Sequence, residues 1–187
     1  YTNEMFYNCT SLEELEMPYF CMSNVRVFDG GEYTSEMRDM FYDCRSLHRI
    51  NLANFEIKPE TFTQLTIKTF FELLRKEAPN LEYIQIPSFN SRLDYYTATD
   101  MSGLFENLTE LKEVDLKGWN TKHMTDMSHM FKGCVKLESI NIDGWDLSNV
   151  IYADSMFEDC NSMSSITLEH RPFKKIASAN QMFKNCN

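Results

Sequence analysis

The pair Met130-Phe131 returns as Met156-Phe157 and again as Met182-Phe183, each step being 26 residues. Cys134, Cys160 and Cys186 keep the same register, as do Leu137 with Met163, Ile140 with Ile166 and Ile142 with Leu168. A fixed period of this size marks stacked repeats and constrains the chain more than any local preference does. A single unit cannot bury its apolar face alone, so neighbouring units must pile up and share one continuous core.

Tracing the pattern backwards recovers earlier copies. They are anchored at Met5-Phe6, Met40-Phe41, Phe70-Phe71 and Leu104-Phe105. The intervals between anchors are 35, 30, 34, 26, 26 and 26 residues. The first three carry insertions: Cys21 to Thr34 with its Asp29-Gly30-Gly31 turn, Ile57 to Thr63, Arg75 to Asn80, and Asn90 to Thr97. Residues 1–187 therefore read as one segment, irregular over 1–98 and built of regular repeats over 99–187. It opens and closes inside a repeat, as a piece of a longer array would.

Within a repeat, the alternation in Leu137-x-x-Ile140-x-Ile142 predicts a short strand with one buried face. Met124, Met127, Met130, Phe131 and Cys134 fall on one helical face and predict a short helical or 3₁₀ segment. Asp143-Gly144 reads as the turn between the two, and Trp119 and Trp145 as lids on the edge of the core. The expected fold is α/β: a right-handed solenoid with one short parallel strand and one short helix per coil. The methionine column reads as core packing. So does the cysteine column, Cys9, Cys44, Cys134, Cys160 and Cys186: Leu74 and Leu108 fill the same slot, which points to a small hydrophobe rather than a needed thiol.

A net charge of −10 removes the basic stripe that nucleic acid requires. No apolar run approaches the roughly 20 residues of a membrane span. His123 and His129, six apart, fall on different helix faces and make poor joint metal ligands. Gly-rich phosphate loops, nucleophile elbows and Asp-rich calcium loops do not occur. No metal, cofactor or catalytic residue is expected. Asn8-Cys9-Thr10 and Asn107-Leu108-Thr109 match the short acceptor pattern for N-glycosylation.

Gly144-Trp145-Asp146-Leu147-Ser148-Asn149-Val150 and Met124-Thr125-Asp126-Met127-Ser128-His129-Met130-Phe131 resemble the BspA-like leucine-rich repeats, in particular their 26-residue variant in bacterial surface proteins. Met17-Pro18 and Ile86-Pro87 resemble the Leu-Pro that follows the strand in that wider class. The resemblance covers the whole chain, most closely from Thr99 onward; Phe20, Phe55, Phe89 and Arg171 stand where the pattern has Trp. It implies a non-enzymatic, adhesion-type module at the cell surface or secreted, working through a protein partner. A structural subunit of a larger assembly is the alternative.

Strand alternation names the outward residues. One column is Glu14, Arg49, Tyr83, Glu113, Ser139 and Ser165; the other is Glu16, Asn51, Gln85, Asp115, Asn141 and Thr167. Binding hot spots favour Tyr and Arg. The expected protein-binding residues are therefore Arg49, Asn51, Tyr83, Gln85, Glu113 and Asp115, centred on Arg49, Tyr83 and Gln85. The plainer reading of these columns is a solvated sheet face.

Overall fold

Repeats stack through backbone hydrogen bonds on two sides of a shared core in a computed structural model, which describes residues 4–17, 39–52, 64–86, 100–168 and 172–186. The elements in order are β1 (Glu14–Glu16), β2 (Arg49–Asn51), α1 (Gln64–Glu77), β3 (Tyr83–Gln85), β4 (Glu113–Asp115) and β5 (Ser139–Asn141). The five strands form one parallel sheet in chain order. Leu15, Ile50, Ile84, Val114 and Ile140 stand opposite one another along it. The first four are buried and their neighbours face outward, as period-2 alternation requires. The sixth repeat departs from the expectation of one strand per repeat: Ser165-Ile166-Thr167 is not a strand.

Opposite the sheet runs a second ladder, made of turns. The amides of Met127, His129, Phe131 and Gly133 donate to the carbonyls of Tyr152, Asp154, Met156 and Glu158 in the next repeat. The intervening amides of Met130, Lys132 and Cys134 donate three residues back within their own repeat. The same alternation recurs one repeat later, from Ala153 to Cys160. Isolated parallel bridges Asp100↔Asp126↔Tyr152↔Ser178 mark its start.

This ladder replaces the short helix expected in every repeat. Two residues per repeat hold left-handed backbone, where a helix cannot continue. One directly precedes the Cys or Leu of the column: Asn8, Asp43, Asn107, Gly133, Asp159 and Asn185, with φ between 58° and 73°. The other lies four residues earlier: Glu4, Asp39, Gly103, His129, Ser155 and Gln181. Asn, Asp and Gly tolerate this conformation best.

The third repeat has Thr69 and Leu73 in those two places. A β-branched residue and a leucine resist the left-handed region, and here the chain forms α1. One extra helical turn shifts the register. Leu81 N–H donates to Ala78, as Leu137 N–H does to Cys134, so buried Ala78 takes the column place that the sequence pattern assigns to Leu74.

The core follows the repeat. Phe105, Phe131, Phe157 and Phe183 stack with centroids 5.0–5.4 Å apart and planes within 3°. Trp119 and Trp145 stack at 6.3 Å, and their indole N–H groups reach the carbonyls of Ile86 and Leu116, closing the core edge as expected. The column cysteines Cys9, Cys44, Cys134, Cys160 and Cys186 are free thiols. They do more than fill space. The Sγ atoms of Cys44, Cys134, Cys160 and Cys186 donate to the carbonyls of Phe6, Phe105, Phe131 and Phe157 in the preceding repeat, at 3.0–3.2 Å. Burial pushes the Cys44 thiol up to about 11 and that of Cys160 to about 12, so they remain neutral S–H donors. The insertions Cys21–Thr34, Ile57–Thr63 and Asn90–Thr97, and the positions Phe20, Phe55, Phe89 and Arg171, lie outside the described residues.

Candidate functional site

The sheet presents one continuous outward face. Parallel register sets Glu14 beside Arg49, Arg49 beside Tyr83, Tyr83 beside Glu113 and Glu113 beside Ser139. In the second column Asn51 stands beside Gln85 and Gln85 beside Asp115. All six residues singled out in the sequence thus lie on three adjacent strands, β2 to β4. Ser165 and Thr167 fall beyond the last strand.

The centre of this face is ordered by its own contacts. The Arg49 guanidinium lies 3.9 Å from the centroid of the Tyr83 ring, a cation–π distance. Tyr83 Oη is 3.1 Å from Gln85 Oε1 and donates to it. The two long side chains that dominate the face are therefore held in place before anything binds. Partial burial pushes the Tyr83 phenol above its usual range; Asp115 and Glu113 push the same way and Arg49 opposes them. Tyr83 is thus a neutral donor at physiological pH. Asp115 accepts the Lys117 amide at 3.0 Å, which fixes the start of the following turn.

Sequence alternation missed the column just before the strands. There Lys112 Nζ pairs with Glu82 at 2.7 Å, and His48 lies 3.9 Å from Glu14. These pairs line one border of the face. The signal for the first pair was opposite charge at matching repeat positions, Glu82 and Lys112. On the turn side, His129 occupies a left-handed turn 3.8 Å from Glu106, while His123 is exposed. Among the described residues, no three His, Cys, Asp or Glu side chains converge as metal ligands. The sequon residues Asn8 and Asn107 are both exposed left-handed residues of the turn ladder. The Asn107 carboxamide packs over Gly133 so closely that a Cβ there would overlap Oδ1.

Stacked strand-and-turn repeats, with an inward apolar column and an outward polar face on a parallel sheet, define an α/β repeat protein of the leucine-rich type. The chain belongs to the BspA type leucine rich repeat family, whose repeats match residues 1–97 in six copies. Residues 80–187 match a second family, described as Mycoplasma protein of unknown function, DUF285. No curated protein and no solved structure matches the chain. Members of the BspA type are typically surface-associated and engage in interactions. Among the described residues, no helix is long and apolar enough to cross a membrane.

Proposed function

We propose that this chain is a non-enzymatic protein-interaction module of an adhesion-type protein, displayed at the cell surface or secreted. Its repeats wind as a right-handed solenoid, in keeping with the strong preference of parallel crossovers for that hand. It binds a protein partner through the outward strand face of β2 to β4. The observation that carries this reading is the Arg49–Tyr83–Gln85 group. Arg and Tyr are the side chains that most often dominate interfaces, and here each is held by a neighbour, so little side-chain freedom is lost on binding. Asn51, Glu113 and Asp115 surround that centre and supply a polar rim.

The test is a binding assay on a partner isolated with the intact protein. Arg49→Ala with Tyr83→Ala is compared against Ser139→Ala with Ser165→Ala. Loss of a hot-spot residue costs 2 kcal/mol or more, about thirtyfold in Kd, while the serine control should leave Kd within about twofold. If both variants bind alike, this part of the strand face is not the site.

A further inference from the structure

The sheet stops at β5, but the stack does not. On the turn side, Phe131, Phe157 and Phe183 continue with centroids 5.4 Å apart and planes within 3°. On the sheet side, Ser165-Ile166-Thr167 keeps sequence register with Ser139–Asn141 yet adds no sixth strand to the sheet. A groove of about 580 Å³ opens between them, with Ile140 and Ile142 along one wall and Ile166 along the other. Ile140 is only half-buried, whereas Ile50, Ile84 and Val114 are fully covered.

The earlier repeats define what the β5 edge lacks. The amide just past β1, β2 and β4 donates to the next strand, Met17 to Asn51, Leu52 to Gln85 and Leu116 to Asn141 at 2.8–3.2 Å, while Ile86 past β3 makes no such bond. The carbonyl just before each strand accepts from the next: Glu82 from Lys112 and Glu113, Lys112 from Glu138 and Ser139. At β5 the corresponding groups are the Ile142 amide and the Glu138 carbonyl. Neither has a hydrogen-bond partner among the described residues. An unpaired strand edge is a template for another strand. The side chains of Glu113, Glu138 and Asp143 also line the groove, and among the described residues no Lys or Arg does.

We propose that the β5 edge is a strand-addition site for an extended segment of a partner protein. That segment carries aliphatic residues facing Ile140 and Ile166, alternating with basic residues facing Glu113, Glu138 and Asp143. Lying about 4.8 Å from β5, it takes the Ile142 amide and the Glu138 carbonyl into a parallel ladder, and its alternating side chains meet an apolar floor and an acidic rim. This edge lies apart from the Arg49–Tyr83–Gln85 centre and shares with its rim only Glu113.

The test uses the whole chain and three synthetic probes: acetyl-Lys-Val-Lys-Ile-Lys-amide, its Glu-for-Lys counterpart, and the Lys peptide N-methylated at alternate amides. Amide hydrogen exchange is followed residue by residue. The Ile142 amide should exchange much faster than that of Leu116 in the free protein. The Lys peptide should slow it by about tenfold or more, leaving β2 and β3 unchanged. The Glu peptide and the N-methylated peptide should not, and Glu138→Lys, an exposed change, should weaken the Lys peptide. Ile142 protected in the free protein as strongly as Leu116 would mean that Ser165–Thr167 itself occupies the edge, and the proposal fails. It fails equally if Ile142 stays exposed in saturating Lys peptide, or if the N-methylated peptide protects it as well.

Discussion

The third repeat and the regular repeats after it solve one problem in two ways. Each repeat leaves backbone donors and acceptors facing its neighbours, and buried ones must be paired. From the fourth repeat onward, left-handed residues at fixed positions turn alternate amides toward the next repeat, and the ladder runs backbone to backbone. In the third repeat the backbone of α1 bonds to itself, so the adjoining repeats lose that partner. Side chains stand in. The Phe41 amide, whose counterparts at Phe6, Phe105 and Phe131 bond to Met40, Met130 and Met156, donates instead to Glu77 Oε2 at 2.9 Å. Arg75 donates to the Gly103 and Glu106 carbonyls on the other side, and Lys68 pairs with Asp100 at 2.7 Å. The bonds of a backbone ladder carry no titratable group, whereas a side-chain substitute depends on its own residue and on pH.

The largest break in the regular region should come from its ring column. Phe131→Ala removes a fully buried ring stacked on both neighbours and should cost about 3–5 kcal/mol in urea unfolding. In the helical repeat the sharper test is Glu77. Replacing it with Ala strands the buried Phe41 amide and should cost about 1–3 kcal/mol. Glu77→Gln keeps an acceptor while removing a poorly solvated charge, since Glu77 Oε1 has no partner. That variant should match or exceed the native stability at neutral pH. Equal losses for Ala and Gln would show that packing, not the hydrogen bond, is what Glu77 supplies.

Glycine should have opposite signs in the two regions. His129 is left-handed at φ 61°, and His129→Gly should gain up to about 1 kcal/mol by relieving that conformation. Leu73 sits inside α1, and Leu73→Gly should lose about 1 kcal/mol of helix propensity in addition to its packing. A loss at both sites would remove the backbone explanation for why, among the described residues, the third repeat alone is helical.

The smallest expected effect is in the acid limb of stability. Lys132 and Lys184, each ion-paired with Glu158 at 2.7 Å, bring its carboxyl down to about 2. A depressed folded pKa contributes stability that is present above the unfolded value near 4.3 and lost as pH falls toward 2. Burial moves Glu77 the other way, although the Phe41 amide partly offsets it. Ionised Glu77 therefore costs stability at neutral pH, and the cost lifts on acidification. Glu158→Gln should flatten the acid loss, whereas any advantage of Glu77→Gln should shrink as pH falls. Parallel pH curves for native protein and both variants would contradict these environments.

The repeat period, the inward column of Leu15, Ile50, Ile84, Val114 and Ile140, and the two outward columns were legible in the chain, because side-chain alternation and a fixed repeat are properties of order alone. The helix expected in each repeat was not. The spacing of Met124, Met127, Met130, Phe131 and Cys134 suits a helix or a row of turns equally, since both bury every third or fourth residue. The discriminating letters were the Asn, Asp or Gly before each column cysteine, and their absence at Leu73. The thiol bonds to the preceding repeat were hidden because a slot shared with Leu108 looks purely apolar.

What the amino-acid order determined by itself is which residues share a column, because register repeats with the chain. What tertiary structure alone decided is how each column is used. Whether the Phe41 amide meets a carbonyl or a carboxylate, whether Arg49 lies on Tyr83, and whether Ser165-Ile166-Thr167 closes on β5 depend on distances across repeats. Those distances follow from packing several copies at once, and no single copy encodes them.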